Sequence, residues 1–237
     1  MNSSAIHPDD FLHKFILRKF PKDGADRYFE GGKREATAVR AMIERYFPPH
    51  SPIRVIDFAA GYGRVVRHLP AVMPKATVAA SDIHPQACQF MRENFDIEVY
   101  QSTREPEELD LGDSYDFIYV HSLFSHLPPH SFQRWLAALY RHTKPGGYLM
   151  VTTNGDFARE KLPNEFLPCY DPEKGYGYRP LVVDQPDIPT EDYGSMSISP
   201  DYFRAAVTTT DSLARIVSFR PGAILSHQDE WIIRKPN

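Results

Sequence analysis

The chain has 237 residues, of which 42% are apolar and 13% aromatic, and its formal net charge is −4. This composition can form a single domain with a sizeable core, but it provides no whole-chain basic field for nucleic acid or an anionic membrane and no apolar run that spans a bilayer. The polar N-terminus predicts no signal peptide, and two distant cysteines, Cys88 and Cys169, disfavour a disulfide framework or a cysteine-rich metal site and favour a reducing cytoplasm.

Two amphipathic helices are predicted before residue 50. Asp9–Phe20 carries apolar residues at helical spacing. Lys33–Phe47 has the same pattern, and two prolines follow it. The intervening segment, Asp26–Gly32, is polar, aromatic and rich in glycine, and one interpretation of it is a plain turn.

The segment Ile53–Leu69 has the pattern of a strand, a tight turn and a helix. Its strand ends on Asp57, and its turn consists of small residues: Ala59, Ala60, Gly61 and Gly63. Small residues let a ligand approach the backbone at the end of the strand. A carboxylate at this position, with Val66 where a third glycine would stand, disfavours a pyrophosphate. A ligand with a cationic end and a ribose fits better.

Asp82 is placed to bind that ribose. It follows a predicted strand, Ala76–Ser81, and lies 21 residues after Gly61. Its two carboxylate oxygens match the two hydroxyls of a ribose. The alternative is that Asp82 caps the predicted helix Gln86–Phe95.

Further strands and helices alternate along the chain. Ile97–Tyr100 and Tyr115–Val120 are predicted strands, and the second is apolar enough for the middle of a parallel sheet. A helix at Ser131–Thr143 ends before Lys144-Pro-Gly-Gly147, and a strand follows at Tyr148–Thr153.

The last third of the chain is less regular. A short helix is predicted at Asp156–Leu162, and the long Pro- and Tyr-rich segment Pro163–Tyr193 lacks helical period, which is typical of a functional lid. The remaining elements are a helix opened by Ser199 and two strands, Leu213–Phe219 and Glu230–Arg234, with a turn at Pro221-Gly222.

These motifs resemble those of the class I S-adenosylmethionine-dependent methyltransferases of the small-molecule type. The run from Asp57 to Gly63 resembles their motif I, with Ala59 in place of the first glycine, and Asp82 and Lys144–Gly147 follow in the family's order. The likeness is strong over Ile53–Thr153. It implies a Rossmann-like three-layer α/β sandwich whose seven-stranded, mostly parallel sheet has the order 3-2-1-4-5-7-6, with S-adenosylmethionine across the tips of strands 1 and 4.

The resemblance also implies a division of one methyltransferase domain, 1–237. Residues 1–50 are a helical preamble, 53–153 the cofactor-binding core, 156–198 a substrate-side insertion or lid, and 199–237 the final helix and antiparallel strands. The implied cofactor-binding residues are Tyr28, Gly32 or its neighbour Gly31, Asp57, Ala59, Gly61, Gly63, Asp82, Ile83, Ser102, Thr103 and His121. Ile83 is expected against the adenine, Ser102 or Thr103 at the base, and His121 at the methionine end.

His126 is the candidate catalytic base, because histidine most often removes protons near neutral pH. Its alternative role is to brace the loop after strand 4. The predicted reaction is methyl transfer to oxygen, nitrogen or carbon of a small molecule, without a metal and without nucleic acid or a membrane as partner.

Three alternatives stay open. A nicotinamide oxidoreductase conflicts with Asp57 and the missing third glycine. A methyltransferase for nucleic-acid bases would carry Asn/Asp-Pro-Pro-Tyr/Phe after strand 4, where this chain has His121-Ser-Leu-Phe124. The third is a catalytically inactive cofactor-binding protein of the same fold.

Overall fold

The computed structural model describes residues 4–181, 188–225 and 227–237. The chain forms two compact units. The first consists of Met1–Arg104 and Asp110–Tyr119, and the second of Glu105–Leu109 and Val120–Asn237. Over the described ranges, no helix is long and apolar enough to cross a bilayer.

The first unit begins with two helices. Its α-helices are α1 (Phe11–Lys19), α2 (Gly24–Ile43), α3 (Leu69–Val72) and α4 (Pro85–Asn94). Helix α2 runs for 20 residues and includes Asp26–Gly32, so the predicted second helix begins at Gly24 and not at Lys33, and the interpretation of this segment as a plain turn was wrong. Gly32 has a packing reason to lie inside this helix, because a Cβ would come within 2.2 Å of the carbonyl oxygen of Arg64.

The helix predicted after the glycine turn is interrupted. Val66–His68 forms a 3₁₀ turn, and α3 lasts only four residues. Pro70 lies in the first turn of α3 and has no N–H, so it cannot continue a hydrogen-bonded helix from the residues before it.

The sheet of the first unit is parallel where its register is known. Its strands are β1 (Arg54–Phe58), β2 (Thr77–Asp82), β3 (Glu98–Gln101) and β4 (Tyr115–Val120), of which Val120 belongs to the second unit. The order is β3-β2-β1-β4, and β2 pairs in parallel with both β1 and β3. Parallel pairing brings the carboxyl ends of β1 and β2 to one edge, which places Asp57 and Asp82 near each other.

The second unit contains the remaining elements. They are α5 (Pro129–Arg141), β5 (Thr143–Asn154), α6 (Asp156–Lys161), α7 (Pro163–Phe166), β6 (Tyr170–Asp171), β7 (Tyr176–Pro180), β8 (Gly194–Ile198), α8 (Pro200–Thr210), β9 (Arg215–Ile224) and β10 (Gln228–Arg234). Strand β10 pairs antiparallel with both β5 and β9, as predicted for the final hairpin. Trp231 anchors this hairpin: it is 1% exposed, stacks on Phe203 and Phe219, and donates from its indole to Thr153 Oγ1.

Two predictions for the second unit were wrong in detail. The segment Pro163–Tyr193 is not a structureless loop, since it contains α7, β6 and β7; its residues 182–187 lie outside the described ranges. Pro221-Gly222 is not the turn of the last hairpin but lies within β9, where the N–H of Gly222 donates to Asp229 Oδ1. That side-chain contact takes the place of a ladder hydrogen bond at an irregular stretch of the pairing.

The fold is a Rossmann-like α/β fold with a mostly parallel sheet. The order 3-2-1-4 is found in the first unit, and the order β5-β10-β9 in the second corresponds to the predicted 5-7-6. The short strands β6, β7 and β8 are additional to the predicted seven.

Candidate functional site: a carboxylate-lined glycine turn and a buried histidine

The turn after β1 has three residues with left-handed backbone. Ala59, Gly61 and Gly63 have φ values of 62°, 57° and 75°. Glycine adopts this conformation without steric cost, whereas the Cβ of Ala59 makes it strained. The N–H of Gly61 donates to Asp82 Oδ2 at 2.7 Å, which ties the turn to the end of β2.

Ala59→Gly should raise the free energy of unfolding by about 0.5–1 kcal/mol. The strain of a left-handed alanine, about 1–2 kcal/mol, exceeds the entropic cost of a glycine, about 0.5–1 kcal/mol. Urea unfolding measures the difference. Ala60→Gly is the matched control: Ala60 has no positive φ, so this change should only destabilise. Stabilisation by both variants, or by neither, would contradict the strain at Ala59.

Asp82 holds the glycine turn in place and can still accept a hydrogen bond from a ligand. It is 5% exposed. Its Oδ2 accepts from Gly61, and its Oδ1 accepts from the N–H of His84 at 3.0 Å. Burial raises the pKa of Asp82, while the N–H donors of His84 and Gly61 oppose the rise. A carboxylate has about four acceptor sites, and the backbone N–H groups of His84, Gly61 and Ile83 use three of them, so Asp82 can accept a further hydrogen bond from a ribose hydroxyl.

Asp57 is a second buried carboxylate, 3% exposed, near the end of β1. Burial and then the negative charge of Glu35 raise the pKa of Asp57 well above its usual range, and the positive charge of Arg64 opposes them. A carboxylate in this state gains most from a cationic ligand, which stabilises its ionised form. The residues present therefore fit a cofactor with an ammonium and a sulfonium.

Asp57→Asn should weaken cofactor binding and stabilise the protein without cofactor. Because the pKa of Asp57 is higher in the folded than in the unfolded state, protonation of Asp57 stabilises the folded protein. This contribution to the free energy of unfolding is fully present below the unfolded-state pKa of about 3.9 and is lost as the pH rises through the folded-state pKa. The free energy of unfolding should therefore fall less steeply with rising pH in the variant than in the parent. Urea unfolding over a pH series, with calorimetry of cofactor binding, measures both effects. Parallel pH profiles would show that Asp57 is not the group responsible.

Glu35 joins this site, and sequence reasoning missed it. Its Oε1 accepts from the hydroxyl of Tyr119 at 2.6 Å, and its Oε2 forms an ion pair with Arg64. Its side chain is only 16% exposed. A polar position on an amphipathic helix predicts exposure to solvent, and its partner Tyr119 lies 84 residues further along the chain. No local pattern could indicate this contact.

Tyr28 and Gly32 lie within the packing of the first unit. Tyr28 is fully buried, its hydroxyl donates to Asp10 Oδ2 at 2.5 Å, and Arg67 lies 3.5 Å from the same oxygen. Burial raises the pKa of Tyr28 far above its usual range, so the phenol stays protonated. The structure thus gives Tyr28 a packing role, and its contact with the cofactor stays a prediction.

The residues predicted near the adenine lie next to Asp82. Ile83 follows it and is partly exposed. The N–H of Ser102 donates to the Asp82 carbonyl at 2.8 Å, which brings the end of β3 to the end of β2. Ser102 is 7% exposed, and Thr103 is more accessible. The choice between these two hydroxyls stays open.

In the second unit, the loop after β4 is fixed to β5 and β10. His121 begins it and is half-buried; its contact with the cofactor stays a prediction. Ser122 has a φ of 60°, its N–H donates to Thr152 Oγ1 at 2.8 Å, and its hydroxyl donates to Gln228 Oε1 at 3.1 Å. Gln228 also donates to Ser125 Oγ. These bonds hold the loop that carries His126.

His126 is held in one orientation and one tautomer. Its Nδ1 lies 2.8 Å from the carbonyl oxygen of Gly194, and its ring stacks on Tyr193 at 4.5 Å. Because a carbonyl can only accept, Nδ1 carries the proton and Nε2 carries the lone pair. Among the residues that the structure describes, none hydrogen-bonds to Nε2. Burial lowers the pKa of His126 below its usual 6.5, so the ring is neutral and can act as a base at neutral pH.

Comparisons with known proteins identify similar methyltransferases. Residues 55–147 match a family model described as a methyltransferase domain. The malonyl-[acyl-carrier protein] O-methyltransferase of Bacillus anthracis is 24% identical over 159 residues, which cover 65% of this chain and 58% of that protein. The trans-aconitate 2-methyltransferase of Deinococcus radiodurans is 28% identical over 130 residues, which cover 52% of this chain and 49% of that protein. The chain thus spans less than two thirds of either relative.

Solved structures show the same fold. CalS10, an amino pentose methyltransferase from Micromonospora echinaspora solved with S-adenosylmethionine bound, has a TM-score of 0.60 at 15% identity, covering 86% of this chain and 91% of its own. A methyltransferase from Methanosarcina mazei has a TM-score of 0.60 at 16% identity, covering 82% and 97%. The glycine turn and Asp82 lie within the residues that match the methyltransferase-domain model, and these comparisons support a class I S-adenosylmethionine-dependent methyltransferase with S-adenosylmethionine as its cofactor.

Proposed function

We propose that this protein is an enzyme that transfers the methyl group of S-adenosylmethionine to a hydroxyl or amine group of a small molecule. The observation that carries the transfer reaction is the turn after β1, where Asp82 binds the N–H of Gly61 and can accept a further hydrogen bond from a ribose. Asp57 favours a cationic ligand, because burial and the charge of Glu35 disfavour its ionised form and a nearby positive charge stabilises that form. The relatives' names support a small acceptor, since they include trans-aconitate and an amino pentose.

The state of His126 supports an acceptor that must lose a proton. Malonyl groups and trans-aconitate carry carboxylates, which are already deprotonated at neutral pH and need no base. A hydroxyl or an ammonium group does need one. His126 offers an unprotonated Nε2, and the carbonyl of Gly194 holds its proton on Nδ1. We therefore favour hydroxyl or amine acceptors over carboxylates.

The residues act by positioning and by accepting a proton. S-adenosylmethionine supplies an electrophilic methyl group on a sulfonium, and S-adenosylhomocysteine leaves after transfer. Asp82 and the turn fix the ribose, and Asp57 balances the positive charge. Nε2 of His126 takes the proton of a hydroxyl as its oxygen attacks the methyl carbon, or takes a proton from an ammonium group before its nitrogen attacks. The stacked ring of Tyr193 keeps the imidazole aligned.

The insertion, 156–198, supplies the acceptor side in this proposal. It contributes Tyr193 and Gly194 to the surroundings of His126, and Ser195 beside them donates to Glu165 Oε1 at 2.8 Å. Residues near the start and near the end of the insertion therefore contact each other beside the candidate base. Its part at 182–187 lies outside the described residues.

Two measurements test the proposal. Calorimetry with S-adenosylmethionine and S-adenosylhomocysteine should show binding of both; no heat and no thermal shift at millimolar ligand would refute it. Transfer of labelled methyl to a panel of hydroxyl, amine and carboxylate compounds should then give turnover only with the first two classes. Turnover confined to carboxylates would keep the methyltransferase activity but reject the proton-removal role of His126. Binding without turnover on any class would favour a catalytically inactive protein.

A further inference from the structure

Helix α1 is unusual because none of its residues is buried. One side of the helix faces α2: His13 packs edge-on to Tyr28, and Leu17 contacts Gly24. Phe11 turns inward against Tyr62 and His84. The opposite side of the helix is exposed.

That opposite side presents apolar side chains. Leu12 and Phe15 are one helical turn apart and are 42% and 53% exposed. Lys19, one turn beyond Phe15, lies on the same side. We call Leu12, Phe15 and Lys19 the outer face of α1. Exposed single apolar residues are common, but a Phe and a Leu side by side on one helix face indicate a binding surface.

The charged side chains of helix α1 and of the turn after it are all positive, although Asp9 and Asp10 precede them and Asp23 and Asp26 follow. The segment Phe11–Lys22 contains four of the 27 lysines and arginines and none of the 31 acids, so the rest of the chain carries 23 cations and 31 anions, a formal charge of −8. The cations are Lys14, Arg18, Lys19 and Lys22. Lys14 pairs with Asp9, both largely exposed, and screening makes such a pair weak. A basic cluster therefore surrounds an apolar ridge on an otherwise acidic protein.

We propose that the outer face of α1 binds the surface of an anionic lipid bilayer. A short amphipathic helix with Phe and Leu on one side and Lys and Arg around them is suited to lie in the interface between headgroups and acyl chains. The ridge is convex and offers two apolar side chains, so it needs no complementary groove, whereas a specific protein partner normally buries a far larger area. The acidic remainder of the chain is repelled from the same membrane, which leaves this face as the one that turns towards it. The net charge of the whole chain is negative and does not reveal this local group of cations. The expectation of no membrane partner rested on that net charge.

Vesicle co-sedimentation at low ionic strength tests the proposal on the full chain. The parent should bind vesicles of phosphatidylcholine mixed with phosphatidylserine, should bind vesicles of phosphatidylcholine alone much less, and should be released by high salt. Phe15→Glu should weaken binding to the anionic vesicles by about tenfold or more, because it removes an inserted side chain and adds a repelled charge. Leu213→Glu is the matched control, since Leu213 is 60% exposed in the other unit and should not matter.

Other results would overturn the proposal. These are no binding, equal binding to neutral vesicles, or unchanged binding by Phe15→Glu. A concentration-dependent dimer lost in Phe15→Glu, without vesicle binding, would assign the face to a second copy of the chain. Binding to an acidic polypeptide but not to vesicles would assign it to a protein. Thermal unfolding checks that the variant is folded, and the double variant Arg18→Glu/Lys19→Glu replaces it if it is not.

Discussion

His126→Ala should lower methyl transfer by about 10²–10⁴-fold, the usual loss when a general base is removed. Cofactor affinity should stay near that of the parent, because the contacts found at Asp57, Gly61 and Asp82 lie in the other unit of the chain. The measurement is turnover with an accepted hydroxyl or amine compound, beside calorimetry with S-adenosylhomocysteine. A loss of less than tenfold would mean that another residue, or none, removes the proton.

The pH dependence of turnover distinguishes a catalytic base from a residue that only holds the loop in place. Burial lowers the pKa of His126, so the acidic fall in turnover of the parent should lie below pH 6.5. His126→Ala should lose this acidic fall. Tyr193→Phe is the matched control: it keeps the stacked ring, and burial raises the pKa of Tyr193 to about 12, so its hydroxyl is no base at neutral pH. If Tyr193→Phe is as damaged as His126→Ala, the pair acts through packing instead.

Asp82→Ala should weaken S-adenosylmethionine binding by at least about tenfold. Hydrogen bonds to a charged group are worth about 1.5–3 kcal/mol each, and about 1.4 kcal/mol corresponds to a factor of ten. The variant should also be less stable without cofactor, since the N–H groups of Gly61 and His84 lose their acceptor. Calorimetry and urea unfolding measure the two losses.

Asp82→Asn separates the two roles of this residue. The amide keeps one acceptor oxygen for the turn but has no charge for a ribose, so stability should recover more than affinity. Affinity of Asp82→Ala equal to that of the parent would leave Asp82 as a brace of the glycine turn alone. Equal recovery of stability and affinity in Asp82→Asn would mean that affinity follows the turn and not the ribose.

The sequence by itself determined the elements whose signals are local. Strand β4 begins and ends at the predicted residues, because its continuous apolar run is buried along almost its whole length. The strand predicted before Asp82, Ala76–Ser81, is found as β2, Thr77–Asp82. The antiparallel pairing of the last two strands followed from the resemblance to the family's final hairpin. In each of these cases the pattern that decides the structure lies within a short stretch or a known supersecondary unit.

Only the tertiary structure decided the features that depend on distant partners. Glycines at 31 and 32 allowed a plain turn as one interpretation, but helix α2 continues through them, and Gly32 fits against the backbone of Arg64. The position of Glu35 on an amphipathic helix predicted exposure to solvent, but Tyr119 and Arg64 bind its carboxylate. Whether His126 could serve as a base depended on its tautomer, and the carbonyl that sets it belongs to Gly194, 68 residues away. Hydrogen bonding and burial of this kind are set by packing between segments, which no local periodicity encodes.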